Sequence, residues 1–177
     1  GQFQTIAATI FRKLVPNFLV SIKFERELVT VADGGIISLD WAVLKTKKLI
    51  KHVHGVNIDE EHDDSKKPIL VMCHGLCGSA ESDYIIHTAS NFTCRHNYRV
   101  VAMVARGCGG LELGTPVGFN AARTSDMADA LEVIASRYPD AKIFGMSFSL
   151  GACIMLNCKC VYICIYLICK SITQYMC

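Results

Sequence analysis

The sequence predicts an α/β fold, in which an N-terminal antiparallel hairpin is followed by parallel strands with flanking helices. Two observations predict it. Short apolar runs alternate with segments of helical spacing from residue 68 to residue 157, and a turn signal at 33–35, Asp-Gly-Gly, separates two extended stretches near the start. Because successive strands joined through helices run parallel, the carboxyl ends of the later strands should meet at one edge of the sheet.

Three apolar runs mark the parallel strands, at residues 69–73, 100–105 and 142–148. The first run, ILVMC, is continuous, which is typical of a strand that is buried on both faces. The hairpin before them is formed by the weakly alternating residues 25–30 and by residues 36–41, in which apolar and polar residues alternate.

Helical spacing follows each of these strands. Apolar side chains recur every three to four positions in residues 79–95 and in residues 127–138, and a third helix begins at Leu150. The second helix has three side chains with capping oxygens at its start: Thr124, Ser125 and Asp126. Pro139 ends it, because the residue before a proline avoids helical backbone.

Composition excludes several classes of protein. The chain has 177 residues, 51% of them hydrophobic and 19% charged, which is enough for one domain with a core and unlike a disordered chain. The formal net charge is +2 without a long basic run, so nucleic acid is not an expected partner. No apolar stretch reaches the roughly 18 to 20 residues that span a bilayer. The sequence starts at Gly1, so a targeting or anchoring segment is expected to lie upstream.

The ten cysteines fall into two groups. Five are scattered among apolar runs and are expected to be buried free thiols: Cys73, Cys77, Cys94, Cys108 and Cys153. The others crowd into residues 158–177, which read CKCVYICIYLICKSITQYMC.

The third parallel strand leads into Ser147-Phe148-Ser149-Leu150-Gly151, a small-x-Ser-x-Gly pentapeptide before a helix. A nucleophilic serine on such a sharp turn needs small residues two positions away on both sides. Gly151 meets that need fully, and Ser147 meets it less well than glycine would. Ser149 is therefore the predicted nucleophile. Ser147 is a rival whose own +2 position is not glycine, and both serines could be ordinary residues at a strand end.

The first parallel strand is followed by His74-Gly75-Leu76-Cys77-Gly78, an H-G-x-x-G loop. Such a loop can aim a backbone N–H at the space above the nucleophile, so the amides of Leu76 and Leu150 are predicted to form an oxyanion hole. The positive end of the helix dipole at Leu150 would support it. The supporting loop residues are His74, Gly75, Gly78, Ser147 and Gly151. The alternative is a glycine-rich turn with a structural histidine.

Two other binding sites were weighed and disfavoured. The loop Arg106-Gly107-Cys108-Gly109-Gly110 is not a dinucleotide motif, because Glu112 occupies its last position, and Arg106 is expected to be structural. Residues 45–67 are predicted to form a solvated loop, whose histidines and acidic residues lack metal-ligand spacing. An H-x4-D match at His54 to Asp59, a pattern found in acyltransferases, follows no buried strand and is disfavoured. No metal and no cofactor are therefore expected.

The sequence resembles the α/β-hydrolase fold and, within it, the membrane-anchored abhydrolase-domain serine esterases and lipases of the medium-chain phospholipase and monoacylglycerol lipase type. The stretches that carry the resemblance are Gly1–Thr5, REL with DGG and LDW, PILVMCHGLCGSAESDYI, YRVVAMVARGCGGLELGTP, SDMADALEVIASRYPDAKIFG and FSLGA. The resemblance implies hydrolysis of acyl esters or lipids by a Ser-His-Asp triad, and membrane association through a segment upstream of this chain. Ser147 departs from the family's usual glycine.

The triad's other members are not found where the fold expects them. The acid and the histidine should follow the serine, yet residues 150–177 contain no Asp, Glu or His. We therefore interpret residues 1–157 as the N-terminal part of a hydrolase domain that is truncated after the helix following Ser149. Residues 158–177 are interpreted as an aberrant tail, either a translated intron or an alternative 3′ end, with a membrane-associating apolar segment as the rival. The predicted function is ester hydrolysis by an incomplete chain; the alternative is a non-catalytic binding fragment or pseudoenzyme.

Overall fold

The computed structural model describes residues 22–45 and 64–158. In them the chain forms β1 (Ile22–Thr30), β2 (Ile36–Leu44), β3 (Ile69–Cys73), α1 (Asp83–Arg95), β4 (Arg99–Val104), α2 (Ser125–Arg137), β5 (Ile143–Ser147) and α3 (Leu150–Asn157). A 3₁₀ turn at Asp64–Lys66 precedes β3. The H-x4-D match at His54 to Asp59, the disfavoured metal residues from His52 to Asp63, residues 1–21 and the tail after Cys158 lie outside the described residues.

The strands form one mixed sheet in the order β1-β2-β4-β3-β5. The hairpin β1–β2 is antiparallel and joins β4 in antiparallel pairing, whereas β4, β3 and β5 run parallel. The predicted hairpin and the predicted parallel strands are therefore confirmed. Within the described ranges β5 pairs only with β3 and forms an edge of the sheet.

Helices cover the sheet on both faces. Ile69, Val71 and Cys73 of β3 pack on the side of α2 and α3, whereas Leu70 and Met72 pack on the side of α1. The whole of β3 is consequently buried, as its continuous apolar run predicts. No helix within residues 22–45 and 64–158 has the length and apolar character to cross a bilayer.

Two helix starts differ from the prediction. The first helix begins at Asp83 rather than at residue 79, because Ser79 donates its N–H to Ser82 Oγ at 3.0 Å and a turn precedes the helix. The predicted capping of the second helix is wrong. Thr124 makes no side-chain capping hydrogen bond, and the Asp126 carboxylate instead accepts hydrogen bonds from the buried Arg106.

The prediction of buried thiols is only partly right. Cys73 and Cys94 are buried and Cys108 is half-buried, but Cys77 and Cys153 are exposed, and all five are free. Cys77 lies in a loop at φ +55°, and Cys153 lies on the solvent side of α3, whose buried positions are Gly151, Ala152, Ile154 and Met155. Apolar neighbours in the sequence therefore do not predict whether a cysteine lies on the buried or on the exposed side of its helix, strand or loop.

Candidate active site

Ser149 is the second of the two residues between the end of β5 and the start of α3, directly before the helix. Its backbone has φ 50° and ψ −118°, a conformation that costs a non-glycine residue on the order of 1 to 3 kcal/mol. Phe148 donates its N–H to Cys73 O at 3.1 Å, and Gly151 donates to Phe148 O at 3.0 Å. The strand and the helix are both hydrogen-bonded up to this point, so the turn is confined to Ser149, whose side chain is left exposed.

Gly151 has no room for a side chain. A Cβ there would lie 2.7 Å from Cys73 O and 2.9 Å from Cys73 Sγ, and it would also overlap His74 O. The helix after the elbow therefore approaches β3 more closely than any larger residue permits. This close approach is the physical reason for the glycine two positions after the serine.

Ser147 faces the other way. Its side chain is buried, and its Oγ donates to Met155 Sδ of α3 at 3.0 Å. The Ser147 hydroxyl is thus engaged where α3 packs on β5. This placement favours Ser149 over Ser147 as the reactive hydroxyl, since only Ser149 is open to a substrate.

The loop 74–78 lies directly against the elbow. A Cβ added at Gly75 would be 3.3 Å from Ser149 Cβ and 3.5 Å from Phe148 O. Gly78 donates its N–H to Gly75 O at 3.1 Å, which closes the loop into a tight turn with Leu76 at its exposed tip. The structure therefore brings the two predicted oxyanion segments, around Leu76 and Leu150, to the same place as Ser149.

His74 is held as a neutral ring. Its Nε2 accepts the N–H of Ala105 at 3.1 Å, and Nδ1 lies 2.6 Å from Gly75 O, which can only accept. The proton consequently sits on Nδ1. The ring is 1% exposed and packs on Phe119, and burial lowers the pKa of His74. Both nitrogens are engaged, so His74 supports the loop and has no lone pair free to accept the proton of Ser149.

Sequence reasoning missed a role for Tyr84. The sequence pattern places Tyr84 only at an apolar position of the predicted helix. In the structure its hydroxyl accepts the N–H of Gly75 at 3.1 Å. Its ring packs on Phe148 with centroids 4.6 Å apart. The signal available was a tyrosine in the first turn of the helix that follows the glycine loop.

Arg106, which follows β4, is structural as expected. Its guanidinium donates to Asp126 and Asp33, and burial leaves it 1% exposed. The neighbouring Gly109 lies close to the first loop, since a Cβ there would be 3.1 Å from Ser79 Cβ. The two glycine loops are thus packed together at the carboxyl ends of β3 and β4.

Neither a base nor a metal centre is found in the described part of the chain. No side-chain hydrogen bond there joins Ser149 to a histidine or a carboxylate, and no group of three or more His, Cys, Asp or Glu could hold a metal ion. What these residues bring together is an exposed serine and the glycine loop 74–78 beside it.

Solved structures share the fold of this chain. The esterase Pf2001 of Pyrococcus furiosus matches with a TM-score of 0.59 at 18% identity, over 85% of this chain and 51% of that one. A lidless α/β serine hydrolase from Xanthomonas campestris matches with a TM-score of 0.54 at 15% identity, over 82% of this chain and 57% of that one. The chain therefore has the α/β-hydrolase fold, of which it covers about half.

Sequence relatives narrow the class. The chain is 33% identical over 158 residues to the protein abhd-3.2 of Caenorhabditis elegans (89% of this chain, 36% of the relative). It is 30% identical over 136 residues to the human phospholipase ABHD3, a match that covers 77% of this chain and 30% of that protein. It is 27% identical over 161 residues to the monoacylglycerol lipase of Saccharomyces cerevisiae, a match that covers 78% of this chain and 36% of that protein. No protein-family profile matches the sequence. The chain belongs with the abhydrolase-domain proteins, and it spans about a third of the length of these relatives.

Proposed function

We propose that this domain carries the nucleophile and the oxyanion hole of a serine hydrolase that acts on acyl esters, of the carboxylesterase, acylglycerol lipase or phospholipase type. The observation that carries the proposal is the exposed Ser149 at φ 50°, on a strand-to-helix turn that touches the loop 74–78. The relatives named as lipase and phospholipase support a lipid or ester substrate.

In this mechanism Ser149 Oγ bonds to the ester carbonyl carbon, and its proton passes to a histidine base. The carbonyl electron pair moves to the oxygen, whose negative charge is stabilised by the amides of Leu76 and Leu150. The intermediate expels the alcohol, which takes the proton from the histidine. Water then hydrolyses the acyl-enzyme in the same manner and frees Ser149.

The base and the acid must come from residues other than those after Ser149 in this sequence, since positions 150–177 contain no Asp, Glu or His. Loss of a triad costs on the order of a million-fold in turnover. We propose that a longer product of the same gene supplies both groups and replaces residues 158–177. Transcript and genomic sequences test this, because one exon continuous through codon 177, without a splice donor near codon 158, would reject it.

A fluorophosphonate probe tests the role of Ser149 directly. Attack forms the Ser149 O–P bond and breaks the P–F bond, fluoride leaves, and the serine proton passes to buffer. We expect slow labelling of the 177-residue chain, mapped to Ser149 by mass spectrometry. Ser149→Ala should abolish it. Ser147→Ala, the matched control, should retain it. A label on another residue, or unchanged labelling of Ser149→Ala, would contradict the proposal.

The second candidate is a non-catalytic binding fragment or pseudoenzyme. It is favoured by the lack of a hydrogen-bonded histidine at Ser149 within residues 22–45 and 64–158. Complete absence of labelling in the chain, together with no transcript that encodes a later acid and histidine, would support it. Membrane association, which the resemblance implies, remains a prediction.

A further inference from the structure

We propose that Tyr84 is a positioning residue that fixes the two halves of the oxyanion hole relative to each other. One half is the loop 74–78 with Leu76, and the other is the elbow with Leu150. The inference rests on the proposed function, because an oxyanion hole acts only when Ser149 attacks a carbonyl.

The tyrosine hydroxyl holds the loop half. Tyr84 Oη accepts the Gly75 N–H at 3.1 Å, so this amide is engaged, and the amide predicted to bind the oxyanion is the following one, at Leu76. The same oxygen lies against Gly78, where an added Cβ would approach it to 2.6 Å. Both glycines of the loop therefore adopt their positions around a single hydroxyl.

The tyrosine ring holds the elbow half. It packs on Phe148, the residue before Ser149, with ring centroids 4.6 Å apart at 53°. Phe148 is fixed to β3 through its N–H, and its carbonyl oxygen faces Gly75. One side chain thus contacts the loop through its oxygen and the elbow through its ring.

The backbone that carries Tyr84 is firmly placed. Tyr84 lies in the first turn of α1, and the next residue, Ile85, is fully buried against the sheet. A contact from such an anchored position restrains the loop more than a contact from another loop residue would, because catalytic donors must be held within a fraction of an ångström.

The substitution Tyr84→Phe removes the hydroxyl and keeps the ring. The Gly75 N–H then loses its acceptor, and the peptide between His74 and Gly75, which precedes the one that carries the Leu76 N–H, loses a restraint. Removing one oxyanion donor outright costs on the order of 100- to 1000-fold in rate, so misplacing one should cost about tenfold. Tyr98→Phe is the matched control, since Tyr98 is also half-buried but packs on Phe92 and Phe144.

Three measurements on the full chain test the inference: the rate of fluorophosphonate labelling at Ser149, amide hydrogen exchange, and the melting temperature. We expect Tyr84→Phe to slow labelling about tenfold and to speed exchange at Gly75. Exchange at Ala105, whose amide is bonded to His74, should not change. The melting temperature should stay close to that of the parent, and Tyr98→Phe should leave the labelling rate and the Gly75 exchange unchanged.

Equal labelling rates in the parent and in Tyr84→Phe would overturn the inference and leave the proposed function standing. A lower melting temperature with faster exchange at both Gly75 and Ala105 would indicate general loosening, and it would also overturn the inference. A parent chain that does not label at Ser149, together with no transcript that encodes a later acid and histidine, would reject the proposed function, and the role of Tyr84 with it. Amide hydrogen exchange at Gly75 would then still measure the hydrogen bond between the Gly75 N–H and the Tyr84 hydroxyl.

Discussion

Arg106 and Asp126 form a buried, two-bonded ion pair. Arg106 Nε lies 2.7 Å from Asp126 Oδ2, and Nη2 lies 2.7 Å from Oδ1, with the two side chains 0% and 5% exposed. The same guanidinium donates to Asp33 in the turn of the hairpin and keeps the pKa of that carboxyl below its usual range. One arginine after β4 therefore connects the start of α2 to the β1–β2 turn.

We expect Asp126→Ala to lower the free energy of unfolding by about 3 kcal/mol, because it leaves part of a buried guanidinium unpaired. Urea unfolding measures the loss. Glu25→Ala is the control, since its ion pair with Lys23 joins side chains that are 60% and 56% exposed and is worth no more than about 1 kcal/mol. Equal effects of the two substitutions would show that the buried pair contributes no more than a surface pair.

We expect Gly151→Ala to destabilise the fold by about 3 kcal/mol, because its methyl group would overlap the Cys73 carbonyl unless α3 moved. Gly118→Ala is the control, since a Cβ at Gly118 meets nothing within 4 Å. Its unfolding free energy should change by no more than about 0.5 kcal/mol. If Gly151→Ala were as stable as Gly118→Ala, the close approach of the helix to β3 would be wrong.

Stability should fall as the pH drops below the ordinary pKa of histidine, because of His74. Burial lowers its folded-state pKa, so below about pH 6.5 the unfolded chain binds a proton that the folded chain does not. The free energy of unfolding then decreases by up to about 1.4 kcal/mol per pH unit until the folded-state pKa is reached.

Urea titrations between pH 7.5 and 5.5 measure this slope. His74→Gln should flatten it, whereas His87→Gln, an exposed residue of α1, should not. A slope that is the same in the parent and in His74→Gln would contradict a buried neutral ring at this position.

Two cysteines should differ sharply in reactivity. Burial raises the pKa of the Cys73 thiol to about 12 and leaves it 0% exposed, whereas Cys77 is exposed at the tip of the loop beside Leu76. Iodoacetamide should alkylate Cys77 in the folded chain, and Cys73 only after unfolding. Peptide mass spectrometry reads both sites in one sample. Alkylation of Cys73 at the rate of Cys77 would show that β3 is not buried.

The hairpin, the buried strand β3 and the order of strands and helices could be predicted from the sequence, because turn residues and apolar periodicity are local signals. The extent of β3 is confirmed at residues 69–73. The start of α1 and the capping of α2 could not be predicted. Ser79 forms a local turn with Ser82, which apolar spacing does not reveal, and the Asp126 carboxylate pairs with Arg106, a partner brought near by folding.

By itself the sequence determined which residues could react and in what order they occur: a serine flanked by small residues, a glycine loop after an earlier strand, and no later acid or histidine. Only the tertiary structure decided how they meet. Hydrogen bonding makes His74 a fixed neutral ring, Met155 takes the hydroxyl of Ser147, and Tyr84 contacts both the loop and the elbow. Two of these contacts, His74 with Ala105 and Tyr84 with Phe148, join residues far apart in the chain, which the pairing of β3 with β4 and β5 brings together. The other contacts join residues fewer than ten positions apart, but they depend on how loops and helices pack against the strands, which local patterns do not encode.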